Sequence, residues 1–238
     1  MIKIILREAK QSNVELISFP ELFLNSKESH IDDTLFAAIE NSAKENRVNC
    51  VLRYLEHASD GGMFSSQCII NAHGEMISKR RKLCISQDQA DFKSLPITVE
   101  DVEKMAVNLP FSVGMVKIGS LLGNEILHPL LVHLNAAKSV KVLLSSLDDG
   151  IKTPVINPSY IMAGISQQIG SYTLLTCPSI EDYSKAWLPH GGILSAELTT
   201  KYLSIYSVDL DKIAFSKNLI DIVGSDSRPS LLSVVLDH

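Results

Sequence analysis

Residues 118–129 read IGSLLGNEILHP, an apolar stretch that ends at Gly123 and continues into an acidic position and a proline. The apolar run 113–122 predicts a β-strand before this point, and residues 129–138 predict a helix after it. Residues 140–145 predict a further strand. Gly123 therefore lies at an elbow between a strand and a helix, and this order of elements favours an α/β layered domain.

The rest of the chain repeats this order. We predict helices over the first dozen residues, around 35–43 and at 157–168, and strands at 14–18, 48–55, 64–70, 76–85, 172–177, 192–195 and 202–208. The polar, glycine-rich segment 59–62 joins two apolar runs and predicts a hairpin. Residues 86–109 are polar and weakly patterned, and they predict a long surface loop of the kind that carries binding groups. We expect one α/β domain over residues 1–238, with two sheets inside and helices outside.

The composition of the chain excludes several classes of function. The chain has 22 Lys and Arg against 27 Asp and Glu, a net charge of −5 that gives no basic surface for nucleic acid or an anionic membrane. Its four cysteines form no CxxC pair, which argues against a zinc knuckle or a disulfide framework and favours thiols in a reducing compartment. No run approaches the ~20 apolar residues of a membrane span, and no signal peptide is recognisable. We expect a cytoplasmic protein with a small-molecule or protein partner.

Three stretches, by their order and spacing, resemble the motifs of the nitrilase superfamily of carbon–nitrogen hydrolases. They are LISFPELF at 16–23, GEMISKRRKL at 74–83 and the elbow at 118–129. Two later stretches are also similar to family segments, GGIL at 191–194 to a strand start and SRPSLL at 227–232 to a late arginine-proline segment, so the resemblance covers nearly the whole chain. It implies a four-layer α-β-β-α sandwich that pairs into dimers and hydrolyses nitriles, amides or carbamoyl compounds without metal or cofactor.

The resemblance also assigns roles to residues. Glu21 corresponds to the general base, Lys82 to the residue that steadies the oxyanion, and the backbone N–H of Asn124 to a second oxyanion donor. Glu125 keeps an acidic position that follows the nucleophile in the family. Gly123, however, occupies the position of the nucleophilic cysteine, and glycine has no side chain with which to attack.

The leading hypothesis is therefore a catalytically inactive member that binds a small amide-, nitrile- or carbamoyl-like ligand or a partner chain. A second hypothesis is an active hydrolase that uses activated water or Cys84, which would share a face with Lys82 if residues 76–85 form a strand. A third is a damaged or incomplete gene product that depends on another subunit. The chain begins inside a helix, whereas family members commonly begin with a strand, so we expect a missing opening strand and a homodimer or larger assembly.

The retained residues also have ordinary structural explanations. Glu21 suits a turn or a helix start, and Glu125 suits a brace for the helix that begins near His128. Lys82 belongs to the basic run 79–82, which is typical of a solvated face. His128 and His133 have no neighbouring ligand cluster, and we interpret them as structural or surface residues rather than metal ligands.

Overall fold

The computed structural model of the chain describes residues 1–24, 33–59, 61–84, 99–147, 158–178 and 184–228. The described helices are α1 (Ile2–Gln11), α2 (Asp33–Asn46), α3 (Val99–Glu103), α4 (Pro129–Ala137), α5 (Pro158–Ile169) and α6 (Asp211–Lys217), with a 3-10 helix at Gly123–Leu127. The described strands are β1 (Leu16–Ser18), β2 (Asn49–His57), β3 (Met63–Ile70), β4 (Met76–Arg81), β5 (Ala106–Phe111), β6 (Gly114–Leu122), β7 (Val142–Ser146), β8 (Tyr172–Thr176), β9 (Lys185–Trp187), β10 (Ile193–Leu194), β11 (Leu198–Thr199) and β12 (Ser204–Ile205).

Two sheets form the centre of the fold. The first has the order β1-β2-β3-β4, in which β1 runs parallel to β2 and the β2-β3-β4 meander is antiparallel. The second has the order β10-β9-β8-β7-β6-β5, with β6, β7 and β8 parallel and joined through α4 and α5. A separate ribbon pairs β11 with β12. Parallel neighbours connected by helices place those helices on the faces of each sheet.

Three buried apolar clusters separate the layers. One lies between the sheets and includes Val51, Ile69 and Ile118. A second packs α1 and α2 onto the first sheet, and a third packs α4 and α5 onto the second. Alternation along β6 produces this division, because Ile118 joins the cluster between the sheets while Leu121 joins the cluster beneath the helices. The arrangement is the predicted α-β-β-α sandwich.

Most predicted elements are present, and the sequence was misleading where strands are short or lie at an edge. The predicted loop 86–109 is wrong in its last part, because residues 99–103 form α3 and β5 pairs along β6; residues 86–98 lie outside the described residues. Strand β5 is an outer strand that tolerates Pro110 and carries Asn108, so its pattern was weak. Strand β4 ends at Arg81 rather than 85, and β9 was not predicted.

The described helices include none that is both long enough and apolar enough to cross a membrane.

Candidate active site

The three motifs of the sequence analysis meet at one point between the two sheets. Glu21 follows β1, Lys82 follows β4, and Gly123 follows β6. Lys82 Nζ lies 2.7 Å from Glu21 Oε1, and the two side chains are 2% and 0% exposed. The sequence-predicted base and oxyanion residues are therefore joined in a buried ion pair.

Gly123 lies directly against this pair. Its backbone has φ +50°, the left-handed region that glycine adopts at low steric cost. A Cβ atom added to Gly123 would lie within 3.0 Å of both Glu21 Oε2 and Lys82 Nζ, closer than real Cβ contacts come. The ends of the two charged side chains thus fill the space into which a side chain at position 123 would project.

Ser65 is a member of the site that the sequence analysis missed. It lies on β3, is buried, and donates from its hydroxyl to Glu21 Oε1 at 3.0 Å. Its carbonyl accepts the backbone N–H of Lys82 at 2.8 Å, which continues the ladder between β3 and β4. The turn at residues 73–75 could not have located it, because the ladder shifts register between Ile69 and Ile70, and only beyond that shift does Ser66 lie opposite Arg81.

Glu125 holds the elbow to the first sheet. Its carboxylate accepts two hydrogen bonds from Arg80, at 3.0 and 2.8 Å, and one each from the backbone N–H groups of Leu83 (2.6 Å) and Leu122 (2.8 Å). Burial alone would raise the pKa of Glu125, but the charge and hydrogen bonds of Arg80 and the two backbone donors hold the pKa below its ordinary value. Glu125 is therefore a buried carboxylate that braces the elbow against the end of β4, rather than the helix near His128 that the structural interpretation named.

The basic run 79–82 is divided between two faces, so the solvated-face interpretation is wrong for half of it. Arg80 and Lys82 are buried, whereas the side chain of Lys79 is 48% exposed and Arg81 pairs with Glu56 at 2.7 Å. The reason is the strand period of two, which sends alternate residues of β4 toward the second sheet. That period was the signal for Arg80, which the sequence analysis also missed.

Arg53, on β2, is a second missed residue and positions the turn that carries Glu21. Its guanidinium is fully buried and donates to Ser18 Oγ at 2.8 Å, to the Phe19 carbonyl, and to Ser120 Oγ at 3.1 Å. Burial lowers the pKa of Arg53 to about 9, and the nearby charge of Glu21 opposes that shift. Arg53 therefore remains a cation at neutral pH and ties the end of β1 to β6.

Asn124 and Cys84 lie beside the cluster in different settings. Asn124 follows Gly123 in the 3-10 helix, and its buried Oδ1 has no hydrogen-bond partner among the described residues. Cys84 lies beyond the end of β4, so the argument that it shares a strand face with Lys82 does not hold. Its thiol packs against the cluster beneath α4 and α5, and burial followed by the charge of Glu125 raises its pKa. Cys50, Cys68 and Cys177 are buried.

Comparison with known proteins gives a family and a fold. A family model described as carbon-nitrogen hydrolase matches residues 1–215. A nitrilase of Meyerozyma guilliermondii is 25% identical over 285 residues, covering 97% of this chain and 87% of the relative. An arylacetonitrilase of Arthroderma benhamiae is 22% identical over 292 residues, covering 98% of this chain and 86% of the relative.

Solved structures of two other proteins are similar in shape to this chain, although their sequence identity to it is low. Nit3 of Saccharomyces cerevisiae, a member of branch 10 of the nitrilase superfamily, matches with a TM-score of 0.73 at 17% identity, over 94% of this chain and 88% of that chain. A carbon-nitrogen hydrolase from Helicobacter pylori matches with a TM-score of 0.69 at 16% identity, over 96% and 89%. The fold implied by the sequence motifs is confirmed.

We predict that Glu125→Gln removes about 3–5 kcal/mol of unfolding free energy at pH 7, because Arg80 is left as an unpaired buried cation. The pKa of Glu125 is lowered in the folded state, so its contribution is complete above the ordinary carboxyl pKa of ~4.3 and is lost as pH falls through the folded value. Urea unfolding from pH 7 to pH 3 should show the two proteins converging in acid. Glu100→Gln, in an exposed pair with Lys104, is the control and should change stability by less than about 1 kcal/mol; an equal loss in both variants would contradict the bracing role.

Proposed function

The chain belongs to the carbon–nitrogen hydrolase family, and we propose that it is a catalytically inactive member that acts by binding a small amide-, nitrile- or carbamoyl-like ligand or a partner chain. The observation that carries this proposal is the Glu21–Lys82 ion pair lying against Gly123. The base and the oxyanion residue are retained, but the position between them offers no attacking atom.

The loss of the nucleophile is sufficient to remove the family reaction. Covalent catalysis needs an attacking side chain activated by a nearby base, and in a well-studied serine hydrolase removing the nucleophile alone costs on the order of a millionfold in turnover.

The alternative of an active hydrolase has no comparable support. Cys84 is half-buried, and a raised pKa keeps its sulfur in the thiol form, which is a weak nucleophile. Activated water remains the second route, with Glu21 as the base.

The chemistry around Gly123 favours a ligand with a carbonyl or nitrile group. Three buried cations, Arg53, Arg80 and Lys82, outnumber the two buried carboxylates among the described residues of this cluster. An excess of positive charge suits a partly negative oxygen or nitrogen atom. The unpartnered Oδ1 of Asn124 is an acceptor for an amide N–H. The names of the two curated relatives, a nitrilase and an arylacetonitrilase, fit the same ligand class.

We expect the purified protein to show no amidase, nitrilase or carbamoylase turnover above background, because position 123 supplies no thiol. A broad substrate panel with detection of released ammonia or product acid is the measurement. Cys84→Ser and Glu21→Gln serve as matched variants. Turnover that either variant abolishes would overturn the proposal and would identify the thiol or the activated-water route.

We further expect Gly123→Cys, made with Cys84→Ser to remove the half-buried competitor, to react with iodoacetamide faster than the three buried cysteines. The introduced thiol would lie beside Lys82, whose cation favours the thiolate. Because φ is +50° and the ion pair must move, we expect a loss of about 1–3 kcal/mol in stability. Gly123→Ala should show the same loss without the reactivity. Adding Lys82→Met should slow labelling; no change would mean that the cation does not act on this position.

A homodimer is the assembly that the surface favours. Among the described residues, Leu127 and Leu130 near the start of α4 and Tyr160 near the start of α5 are 45%, 51% and 79% exposed. Both helices follow neighbouring parallel strands, so their first turns lie at the same edge of the second sheet. Exposed apolar side chains grouped in this way are typical of a protein–protein interface.

We predict a dimer or larger particle by light scattering coupled to size exclusion at micromolar concentration. The double variant Leu130→Glu with Tyr160→Glu should shift the particle to a monomer near 26.2 kDa, because two charges would be buried without partners. Val113→Glu, at another exposed apolar position on the β5–β6 turn, is the control and should leave the assembly unchanged. A wild-type monomer at every concentration would contradict the dimer.

A further inference from the structure

A row of three polar side chains crosses the inner face of the first sheet. Arg53 on β2 lies opposite Gln67 on β3, and Gln67 lies opposite Arg80 on β4. The three residues are 0%, 0% and 2% exposed. Because alternate residues of a strand share a face, Arg53 lies on the same face of β2 as Val51, which belongs to the cluster between the sheets. Two guanidinium groups and an amide are therefore enclosed within the sandwich.

The three side chains converge on one residue of the second sheet. Arg53 donates to Ser120 Oγ at 3.1 Å, and Arg80 donates to the Ser120 carbonyl at 2.8 Å. Ser120 Oγ in turn donates to Gln67 Oε1 at 2.5 Å. This last hydrogen bond orients the amide of Gln67 so that its nitrogen, Nε2, remains available as a donor. The ends of side chains from three strands thus lie around Ser120.

Each of the three side chains keeps one buried donor that has no acceptor among the described residues. These donors are Nε of Arg53, Nε2 of Gln67 and Nε of Arg80. Buried polar groups are nearly always hydrogen-bonded, so a group of donors without acceptors indicates an occupant that accepts. A water molecule fits poorly, because it must also donate two hydrogen bonds. The one acceptor of these side chains, Gln67 Oε1, already has a partner.

The charge in this layer is not balanced. Two of its three cations have carboxylate partners, Glu125 for Arg80 at 2.8 Å and Glu21 for Lys82 at 2.7 Å. The third cation, Arg53, donates only to hydroxyl and carbonyl groups among the described residues, although a pKa of about 9 leaves it charged at neutral pH. A buried cation without a counter-charge is costly. A neutral amide or nitrile in the neighbouring site supplies only a partial charge, so Arg53 still requires a counter-ion.

We propose that this row binds one small monovalent anion of the halide class, chloride being the natural candidate, between the sheets. Its ligands are Nε of Arg53, Nε2 of Gln67 and Nε of Arg80. A carboxylate or phosphate is a poorer ligand, because such groups pair with the two Nη atoms of a guanidinium, and those atoms already have acceptors in both arginines. Single donors from three strands suit a spherical ion.

The anion has a structural role that extends to the candidate active site. Arg53 also donates to Ser18 Oγ and to the Phe19 carbonyl, at the end of β1. A counter-ion that holds this guanidinium in place therefore supports the turn that carries Glu21. The proposal goes beyond the proposed function and is independent of it, because the charge between the sheets needs balancing whether or not the Gly123 cluster binds an organic ligand.

The first test is thermal unfolding at constant ionic strength, with sodium chloride exchanged for sodium gluconate, whose bulky anion cannot enter a buried site. An anion bound to the folded state alone stabilises it by mass action, so we expect Tm to rise about 3–6 °C for each tenfold increase in chloride above the dissociation constant. Bromide should act in the same way. A crystal grown with sodium bromide should show an anomalous scattering peak in contact with the three donors.

Gln67→Glu is the matched variant, because it removes one donor and places a carboxylate beside Arg53 within the chain. Its Tm should no longer respond to chloride, while circular dichroism reports an unchanged fold. Arg53→Met removes the unbalanced charge and should also abolish the response. Arg81→Met is the control, since Arg81 is partly exposed and pairs with Glu56, and this variant should keep the full chloride response.

Three outcomes would overturn the proposal. One is a wild-type Tm that does not depend on chloride. Another is a chloride response that survives in both Gln67→Glu and Arg53→Met, which would place the anion elsewhere. The third is bromide at the row without any chloride response, which would show an adventitious ion only. If Arg53→Met does not fold, Gln67→Glu and the bromide crystal decide the question.

Discussion

The carboxylate of Glu125 is the constraint on which the site depends. It accepts hydrogen bonds from Arg80 and from the backbone N–H groups of Leu83 and Leu122, so one buried group joins the end of β4 in the first sheet to the end of β6 in the second. The residue before Leu83 is Lys82, and the residue after Leu122 is Gly123. Lys82 and Gly123 lie side by side because these hydrogen bonds of Glu125 hold their neighbours Leu83 and Leu122 together. A buried carboxylate is tolerated because its charge is paired and several donors satisfy its oxygens.

The sequence predicted the sandwich, and the family resemblance gave roles to Glu21, Lys82 and Gly123, but whether the three converge was left for the structure to answer. Hydrophobic periodicity located the long elements, since α1 buries Ile5 and Ala9 at helical spacing and β6 alternates between two cores. The motifs then supplied what periodicity cannot, namely which residues at distant strand ends have roles in one reaction. The family resemblance carried that long-range information.

The residues that escaped prediction are those whose roles depend on pairing register or on contacts between sheets. Ser65, which donates to Glu21, lies opposite Lys82 only because the ladder between β3 and β4 shifts register between Ile69 and Ile70. Arg53 lies in an apolar strand, and nothing in its neighbours shows that it reaches Ser18 and Ser120. Strand β5 was hidden because an edge strand needs only one hydrogen-bonded side and little apolar alternation.

The conformation at Gly123 affects which substitutions this position can accept in evolution. A cysteine at this position would have to enter a left-handed backbone region and displace the ends of Glu21 and Lys82 from the same space. The backbone conformation carries a cost before any benefit of a thiol is available, and the benefit depends on where its two neighbours settle. Position 123 is thus epistatic with the ion pair, because the effect of a side chain there depends on the rotamers of two other residues.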